Sequence, residues 1–225
     1  MTLRQYPGFF ITLEGEEGSG KTTHMPALVE QIRFQGLRVF PTREPGGTSI
    51  GEEIRDLIHN IKNVEMHPRT ETLLYQAARA QIVEQVIKPR LRDGEIVVCD
   101  RYFDSTLAYQ GSGHQQDLED VIPLIEYATT RLKPDLTILL DVDVETGLGR
   151  KKGSSEWNRM DAYGKDFHQR VRKGYLALAE SEPQRWIVID ANKEKEVVSA
   201  TLNREVVNRL VSEGFIEGGR KGVER

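Results

Sequence analysis

A glycine-rich segment near the N-terminus has the residue types needed to hold the phosphates of a nucleotide. The segment from Gly15 to Thr22 matches the pattern G-x-x-x-x-G-K-[ST] in full, with an apolar run before it and a helical pattern after it. Glycines let the backbone wrap around phosphates, and the following helix N-terminus adds positive partial charge. Lys21 can reach the β- and γ-phosphates, and the Thr22 hydroxyl can bind Mg²⁺. The predicted phosphate-binding residues are Gly15, Glu16, Glu17, Gly18, Ser19, Gly20, Lys21, Thr22 and Thr23.

A magnesium ion at such a site also needs an acidic residue nearby. Three apolar runs of this chain end in an aspartate, at Asp100, Asp141 and Asp190. Hydrophobic periodicity does not choose among the three, because each is equally well explained as a turn residue or a helix cap. The residues alone leave the choice open.

Polar side chains follow two further apolar runs. Arg43 precedes a Pro-Gly-Gly turn, and an arginine held in this way can bind a phosphate through two hydrogen bonds. Arg101 directly follows Asp100, and hydroxyl, aromatic and amide side chains come soon after it, at Ser105, Thr106, Tyr109 and Gln110. This combination indicates a polar ligand pocket, although a plain surface loop also explains it.

Two more features suit a nucleotide. Tyr75 and Arg79 are spaced i, i+4, so on a helix they share a face that could stack on a nucleobase and bind its edge. The stretch from Arg150 to Arg159 is basic, and after a strand end it is typical of a lid that closes over phosphates. The plainer interpretations are a partly buried tyrosine beside a surface arginine, and a solvated charged face.

The apolar pattern predicts the elements that position these groups. Apolar runs begin at Phe9, Leu37, Ile96, Leu136 and Trp186, and helical periodicity fills the segments between them. Continuous apolar runs indicate strands covered on both faces, so the alternation predicts an α/β fold with a doubly wound parallel sheet. Ligands of such sheets bind beyond the carboxyl ends of the strands.

Two prolines bear on the helix predictions. A long helix is predicted from about 70 to 88, stopped by Pro89. At Pro26, a local bend or a bound water is predicted in the helix after the glycine-rich loop, without loss of the helix, because a proline cannot donate to the carbonyl four residues back. Further helices are predicted near 118–132, 166–181 and 197–211.

Composition limits the class of protein. The 225 residues, 38% hydrophobic and 29% charged, predict one globular domain. Within it, the basic stretch predicts a lid at about 149–162, and the glycines near the C-terminus predict a frayed tail at about 214–225. The net charge of -4 gives no sign of a nucleic-acid or membrane partner. The single cysteine, Cys99, excludes an intrachain disulfide and suits a reducing compartment. Since no apolar run approaches the ~20 residues that span a bilayer, we expect a cytoplasmic protein.

Together the motifs resemble those of the bacterial thymidylate kinases over about Phe9 to Asp190. The resemblance implies a P-loop NTPase-like, five-stranded parallel sheet of order 2-3-1-4-5, and usually a homodimer. It also implies that ATP, with Mg²⁺, donates its γ-phosphoryl group to dTMP, giving dTDP. The matching pieces are Glu14 to Thr23, Thr42 to Thr48, Ala77-Ala78-Arg79, Asp100-Arg101-Tyr102 with Ser105, and Ala108 to Gly111.

The resemblance further implies roles for single residues. Arg43 and Arg101 would hold the dTMP phosphate, and Glu17 would contact the region of the sugar 3′-hydroxyl. Tyr75 would stack on thymine, at a position where the family more often has Phe. Asp100 becomes the favoured acidic residue near Mg²⁺. The remaining dTMP contacts would come from Arg79 at the carbonyl edge, Thr106 near N3, and Tyr109 under the deoxyribose, with Ser105 and Gln110 beside them.

The charges of the two substrates shape the expected catalysis. A phosphate monoester has a second pKa of about 6, so the acceptor is already mostly dianionic and needs no general base. Catalysis then depends on positioning and on positive charge, to which Lys21 and Arg101 contribute. Some related kinases place an arginine inside the glycine-rich loop, where this chain has Gly18. We therefore expect Arg150 and Arg159 of the lid to supply the missing charge and complete the catalytic set.

Two alternative functions stay open at this point. The nearer one is another nucleoside monophosphate kinase, or a deoxynucleoside kinase. The other is a non-catalytic nucleotide switch, for which the segment from Asn192 to Lys195 is close to the guanine-binding pattern Asn-Lys-x-Asp but ends in Lys instead of Asp.

Overall fold

The computed structural model describes residues 4–152 and 158–217 of the chain. Five strands form one parallel sheet in the order β2-β3-β1-β4-β5, which confirms the predicted α/β architecture and strand order. Because all neighbouring strands are parallel, their carboxyl ends, which carry the predicted site residues, meet at one edge. The strands are β1 (Phe9–Glu14), β2 (Val39–Arg43), β3 (Ile96–Asp100), β4 (Leu136–Asp141) and β5 (Trp186–Asp190).

Helices cover the sheet on both faces. Two π-helical turns, Val83–Ile87 and Leu107–Gly113, and a 3₁₀ turn, Met160–Ala162, interrupt the regular helices. The helices are α1 (Lys21–Phe34), α2 (Ser49–His59), α3 (Pro68–Ile82), α4 (Lys88–Arg92), α5 (Phe103–Thr106), α6 (Leu118–Thr129), α7 (Val144–Lys151), α8 (Lys165–Ser181) and α9 (Lys195–Ser212).

Alternate side chains of the strands enter separate apolar cores. Ile11 and Leu13 of β1 pack with α1 and α9 on one face of the sheet, whereas Phe10 packs with α3 and α6 on the other. A third cluster joins Leu139 of β4 to α8. Burial on both faces is the reason that the strands appear in the sequence as unbroken apolar runs.

The prediction that Pro89 stops the long helix is wrong. The helical segment passes through the π-helical turn at Val83–Ile87 and continues as α4 to Arg92. Pro89 lies in the first turn of α4, where a missing backbone N–H is tolerated. The other proline prediction concerned Pro26, and α1 does continue through it without a break.

Strand β2 begins two residues later than its apolar run and extends further. It starts at Val39 and reaches Arg43, which pairs in register with Asp100 of β3. Pairing with β3, and not local hydrophobicity, therefore decides its length, and it brings Arg43 to the same edge as Asp100.

The predicted lid and tail fall partly outside the described residues. Residues 153–157 of the predicted lid and residues 218–225 of the predicted tail lie outside the described residues. Helix α7 ends at Lys151, within the predicted lid. No helix in the described part of the chain is both long and apolar enough to cross a membrane.

Candidate active site

The glycine-rich loop connects β1 to the first turn of α1. Gly15, Gly18 and Gly20 have φ angles of 144°, 72° and 95°, a region that side chains strain. Lys21 is buried at the start of α1, and its Nζ donates to the Gly15 carbonyl at 2.9 Å. Burial, together with the nearby Arg101, lowers the pKa of Lys21 to about 8. The loop is therefore wound around a cation, as a phosphate-binding loop requires.

Gly18 packs backbone to backbone against Gly147 of α7. A Cβ atom at Gly18 would lie well inside van der Waals contact with the Gly147 carbonyl group. A Cβ atom at Gly147 would collide in the same way with the carbonyl oxygen of Glu17. No side chain fits at Gly18, so this chain cannot carry an arginine at that position of the loop without moving α7.

Arg101 follows β3 in a left-handed backbone conformation, with φ 67°, which is uncommon for a residue with a side chain. Its guanidinium donates to the Glu17 carboxylate at 2.8 Å, to the Gly15 carbonyl at 3.0 Å and to the Tyr175 hydroxyl at 3.2 Å. Burial acts to lower the pKa of Arg101, but Tyr109 and Glu17 raise it well above its usual range. A permanent cation is thus fixed beside the glycine-rich loop.

Glu17 is the loop residue that borders both Arg101 and the aromatic part of the cleft. It accepts a hydrogen bond from the Tyr109 hydroxyl at 3.2 Å. Burial acts to raise the pKa of Glu17, but Arg101, Lys21 and Lys151 lower it to about 2. The carboxylate is therefore ionised at neutral pH and can accept a hydrogen bond from a ligand hydroxyl.

The structure separates the three strand-end aspartates. Asp141 is paired with Arg172, whose Nε lies 2.7 Å from its carboxylate. Asp190 is exposed and caps the turn that follows it. Of the three, only Asp100 lines the cleft described here.

Asp100 and Thr22 fit a hard cation. Asp100 Oδ1 is buried and has no hydrogen-bond partner among the described residues, and Thr22 is exposed in the same cleft. A carboxylate oxygen without a partner and a hydroxyl group in one cleft match the oxygen ligands that Mg²⁺ prefers. Within the described ranges, no three His, Cys, Asp or Glu side chains cluster as a metal site. An ion here would therefore take most of its ligands from phosphate and water.

The predicted nucleobase residues lie on the other side of the cleft. Tyr75 and Thr106 line it together with Arg79. The Arg79 guanidinium, however, is only 1% exposed and is paired with Glu44 at 2.7 Å. It also donates to Thr106 Oγ1 at 2.9 Å. Arg79 is therefore fixed in place by its neighbours, and its predicted contact with the base stays a prediction.

Arg55 is a cleft residue that the sequence analysis missed. It lies on α2, lines the cleft beside Arg43, and donates to the Pro45 carbonyl at 3.0 Å. Arg43 is half exposed, and both oxygens of the Glu52 carboxylate accept from it, at 3.0 and 2.8 Å. The available signal was the position of Arg55 in the helix that directly follows the Arg43 turn.

The two predicted lid arginines differ in their surroundings. Arg150, in the last turn of α7, lines the cleft and donates to the Ala191 carbonyl at 3.0 Å and, at 3.4 Å, to the Gly18 carbonyl. Arg159 is buried, and its guanidinium binds the Glu71 carboxylate. The structure therefore brings Arg150 to the glycine-rich loop but does not bring Arg159 into the cleft.

Side chains on one face of α8 bind residues of the glycine-rich loop and of the strand ends, a role that the sequence analysis missed. Tyr175 connects Arg101 to the buried Glu14, donating to Glu14 Oε2 at 2.9 Å. Arg172, one turn before Tyr175, binds Asp141 at the end of β4. His168, two turns before Tyr175, lies with its Nδ1 3.1 Å from the carboxylate of Glu16 in the glycine-rich loop. The spacing i, i+4, i+7 was visible as a helical stripe, but its partners lie far away in sequence.

Most of the predicted site residues line one cleft, whose volume of about 1700 Å³ is larger than that of a typical single-ligand pocket. Four of the predicted site residues do not line this cleft: Gly15, Glu16, Ser19 and Arg159. The predicted site residues that line the cleft are Glu17, Gly18, Gly20, Lys21, Thr22, Thr23, Arg43, Tyr75, Arg79, Asp100, Arg101, Ser105, Thr106, Tyr109, Gln110 and Arg150.

Comparison with known proteins agrees with this geometry. The family model described as thymidylate kinase matches residues 13–202. The chain belongs to the thymidylate kinase family. It is 46% identical over 216 residues to the thymidylate kinase of Roseiflexus castenholzii, covering 90% of this chain and 94% of that protein. It is 42% identical over 207 residues to the thymidylate kinase of an Exiguobacterium species, covering 92% and 98% of the two chains.

Thymidylate kinase membership accounts for the size of the cleft, because such an enzyme binds two nucleotides at once. A third relative, the thymidylate kinase of Pelobacter propionicus, is 46% identical over 210 residues, with 90% of this chain and 96% of that protein covered. The switch alternative loses its support, since the match covers the chain from the glycine-rich loop into α9.

The contact between Gly18 and Gly147 leads to a first prediction. Replacing Gly147→Ala should weaken binding of an ATP analogue on the order of tenfold, because the new methyl group pushes the loop backbone at Glu17 out of position. Isothermal titration calorimetry measures this. Gly149→Ala in the same helix is the matched control, since its Cβ meets no atom within 4 Å in the described structure. Equal affinities for the two variants would show that the close approach does not matter.

Proposed function

We propose that this chain is the enzyme thymidylate kinase, which transfers the γ-phosphoryl group of ATP to dTMP and yields dTDP and ADP for dTTP synthesis. The observation that carries this proposal is the position of Arg101. Its cation is held between the glycine-rich loop, through Gly15 and Glu17, and the aromatic side of the cleft, where it lies over the Tyr109 ring. Family membership supports the same conclusion.

The chemistry proposed for the cleft is in-line transfer between two anions. The attacking oxygen belongs to a phosphate that is already mostly dianionic at neutral pH, so no side chain has to remove a proton. The chain's part is to hold both substrates and offset their repulsion. Lys21 and Arg101 both donate to the Gly15 carbonyl, at 2.9 and 3.0 Å, so two cations meet at the glycine-rich loop. Arg43 and Arg55 line the same cleft and would add positive charge on the acceptor side.

Magnesium is part of this proposal. Asp100 and Thr22 are the residues that would hold the ion. Asp100 Oδ1 has no hydrogen-bond partner in the described part of the chain, and Thr22 is exposed in the cleft. When bound, Mg²⁺ would offset the negative charge of the donor phosphates.

The acceptor side of the cleft fits a deoxynucleotide. Tyr75 offers an aromatic face for stacking on thymine, and Thr106 and Gln110 offer polar groups at its edge. Tyr109 is buried and holds Glu17 through its hydroxyl, so its ring is fixed beside the predicted sugar position and would crowd a 2′-hydroxyl. Glu17 would accept from the 3′-hydroxyl, and Ser105 Oγ, 3.3 Å from Arg101, would help to position the phosphate-binding cation.

Lid charge completes the proposed catalysis. Gly18 leaves no room for a loop arginine, and Arg150 already lies on the loop carbonyl. Arg150 is therefore the residue we propose for the transferred phosphoryl group. The same role for Arg159 would require its guanidinium to leave Glu71.

Homodimer formation is proposed as well. Helices α2, α3 and α6 expose large apolar side chains that a monomer has no evident reason to present to water. These side chains are Leu57, Leu73, Leu118 and Ile122. A cytoplasmic location is proposed with it, because the buried Cys99 is a free thiol, which suits a reducing compartment.

A substrate comparison tests the proposed function directly. With ATP and Mg²⁺, the expected order is dTMP first, dUMP weaker, and dCMP, dAMP and thymidine at background, measured side by side by coupled ADP release. Thymidine lacks the phosphate that Arg101 and Arg43 are proposed to bind. Activity on thymidine equal to that on dTMP would overturn the proposal in favour of a deoxynucleoside kinase.

Removing Arg150 tests the origin of the extra charge. Arg150→Ala should lower kcat on the order of 10²-fold, the typical cost of one lost contact to transition-state charge. The KM for dTMP should change much less, because Arg150 lies on the donor side of the cleft. Lys152→Ala removes a nearby exposed cation outside the cleft lining and should keep kcat. An unchanged kcat in Arg150→Ala would exclude the assignment.

A charge placed on the proposed dimer face tests the assembly. Leu73→Glu should shift the protein from dimer to monomer in sedimentation equilibrium, since a buried unpaired carboxylate is costly at an interface. Val197→Glu on α9 is the control, because Val197 is similarly exposed but lies away from α2, α3 and α6. The proposal is wrong if the wild-type chain itself sediments as a monomer.

A further inference from the structure

A buried carboxylate that the proposed chemistry does not use connects the acceptor side of the cleft to the lid. Glu71, in the first turn of α3, is fully buried. It accepts from Gln110 Nε2 at 2.8 Å, from the Tyr163 hydroxyl at 3.1 Å and from the Arg159 guanidinium. His114 Nε2 lies 3.1 Å from the same carboxylate. Side chains from two separate parts of the chain, 110–114 and 159–163, thus meet at one carboxylate on α3.

The Glu71 carboxylate fixes which way Gln110 faces. Burial acts to raise the pKa of Glu71, but His114 and Arg159 lower it to about 2, so the group is ionised. An ionised carboxylate can only accept hydrogen bonds, so Gln110 must point its NH₂ group at Glu71. Its carbonyl oxygen is then the group that Gln110, a cleft-lining residue, can offer to a bound nucleotide.

The same carboxylate also holds the segment from Asn158 to Tyr163, which follows the middle of the predicted lid. Besides Glu71, the Arg159 guanidinium donates to the Ile58 carbonyl at 2.8 Å and to the Tyr163 hydroxyl at 2.7 Å. The ring of Tyr163 packs on that of Phe167 in α8, at 4.3 Å between centroids. This segment is therefore anchored to α2, α3 and α8 together, and its neighbours Asn158 and Met160 line the cleft.

We propose that Glu71 is a positioning residue that couples dTMP binding to the lid, holding the Gln110 amide in one orientation on one side and Arg159 on the other. The proposal rests on the proposed function, because it names the acceptor nucleotide as the ligand that Gln110 serves. It assigns Arg159 to anchoring the lid segment and leaves Arg150 as the lid cation at the phosphates. A buried charge with this many donors is expensive to leave unpaired, so both sides of the network depend on it.

Glu71→Gln tests the coupling with an isosteric, neutral side chain. A glutamine can donate as well as accept, so Gln110 is free to flip, and Arg159 loses its charged partner. We expect the affinity for dTMP alone, measured by calorimetry without ATP, to fall about tenfold or more, as for a lost hydrogen bond to a charged group. ATP hydrolysis without dTMP should rise, because a loosened lid admits water.

A matched control separates positioning from stability. Arg185→Gln breaks another buried arginine–carboxylate pair, with Asp104, and neither of these two residues lines the cleft. It should lower Tm as Glu71→Gln does, but keep dTMP affinity and the low rate of ATP hydrolysis. A Glu71→Gln protein that loses only Tm, with dTMP affinity and hydrolysis at wild-type levels, would overturn the inference. Wild-type protein that neither binds nor phosphorylates dTMP would instead overturn the proposed function.

Two milder variants keep the test open if Glu71→Gln does not fold. Tyr163→Phe removes only one hydroxyl that contacts both Glu71 and Arg159, and should raise ATP hydrolysis without dTMP by about threefold. Arg159→Lys keeps a charge but not the planar set of donors, and should act in the same direction with kcat for transfer largely kept. A loss of kcat in Arg159→Lys as large as in Arg150→Ala would show that Arg159 contacts the transferred group, and would refute the anchoring role.

Discussion

The cation of Arg101, fixed at the end of β3, is the feature on which the rest of the site depends. Two anionic substrates must be brought together, and a flexible arginine on a surface loop would lose side-chain entropy each time it bound them. Here the backbone of Arg101 lies in the left-handed region and its guanidinium is held by Glu17, Gly15 and Tyr175. Strain of this kind persists only where neighbours over-determine the conformation. The charge is therefore held in place by groups of the protein itself.

The partners of Arg101 explain why α8 belongs to the site although its sequence carries no motif. Tyr175 joins Arg101 to Ser105 and to Glu14, so the end of β1, the segment that follows β3, and α8 meet at a single hydroxyl. Burial and Asp104 raise the pKa of Glu14 to about 7, against the opposing effect of its hydrogen-bond donors. Polar groups at this depth are stable only if their donors and acceptors are matched, which is why the network is dense.

Buried ion pairs recur on the acceptor side, and their value is positional. Glu44 and Arg79 are each nearly inaccessible, as are Glu71 and Arg159. Pairs at this depth often contribute little net stability, because desolvation offsets their attraction. They do fix orientation: Arg79 and Gln110 each reach the cleft with their donors already committed. A pocket built in this way discriminates by where its polar atoms point, and not only by its shape.

Much of this protein could be predicted from its sequence. The glycine-rich loop, the alternation of apolar runs and helical patterns, and the motifs at Arg43 and Asp100 are local signals, and their physical causes act within a few residues. The fold class followed from them, and so did a site at the carboxyl edge of the sheet. The strand order and the family rested on resemblance, which the parallel sheet and the relatives then confirmed.

Only the tertiary structure decided which residues meet. Asp100, Asp141 and Asp190 look alike in the sequence, but packing gives Asp141 a partner in Arg172 and leaves Asp100 Oδ1 buried without one among the described residues. The sequence shows that Gly18 stands where some related kinases have an arginine. The structure adds that a side chain at this position would collide with the backbone of Gly147, far along the chain. Hydrophobic periodicity fixes which face of an element is buried, because that depends on one residue at a time. A hydrogen bond or an ion pair depends on two residues at once. Glu71 and Arg159 are far apart in the sequence, and only the fold brings them together.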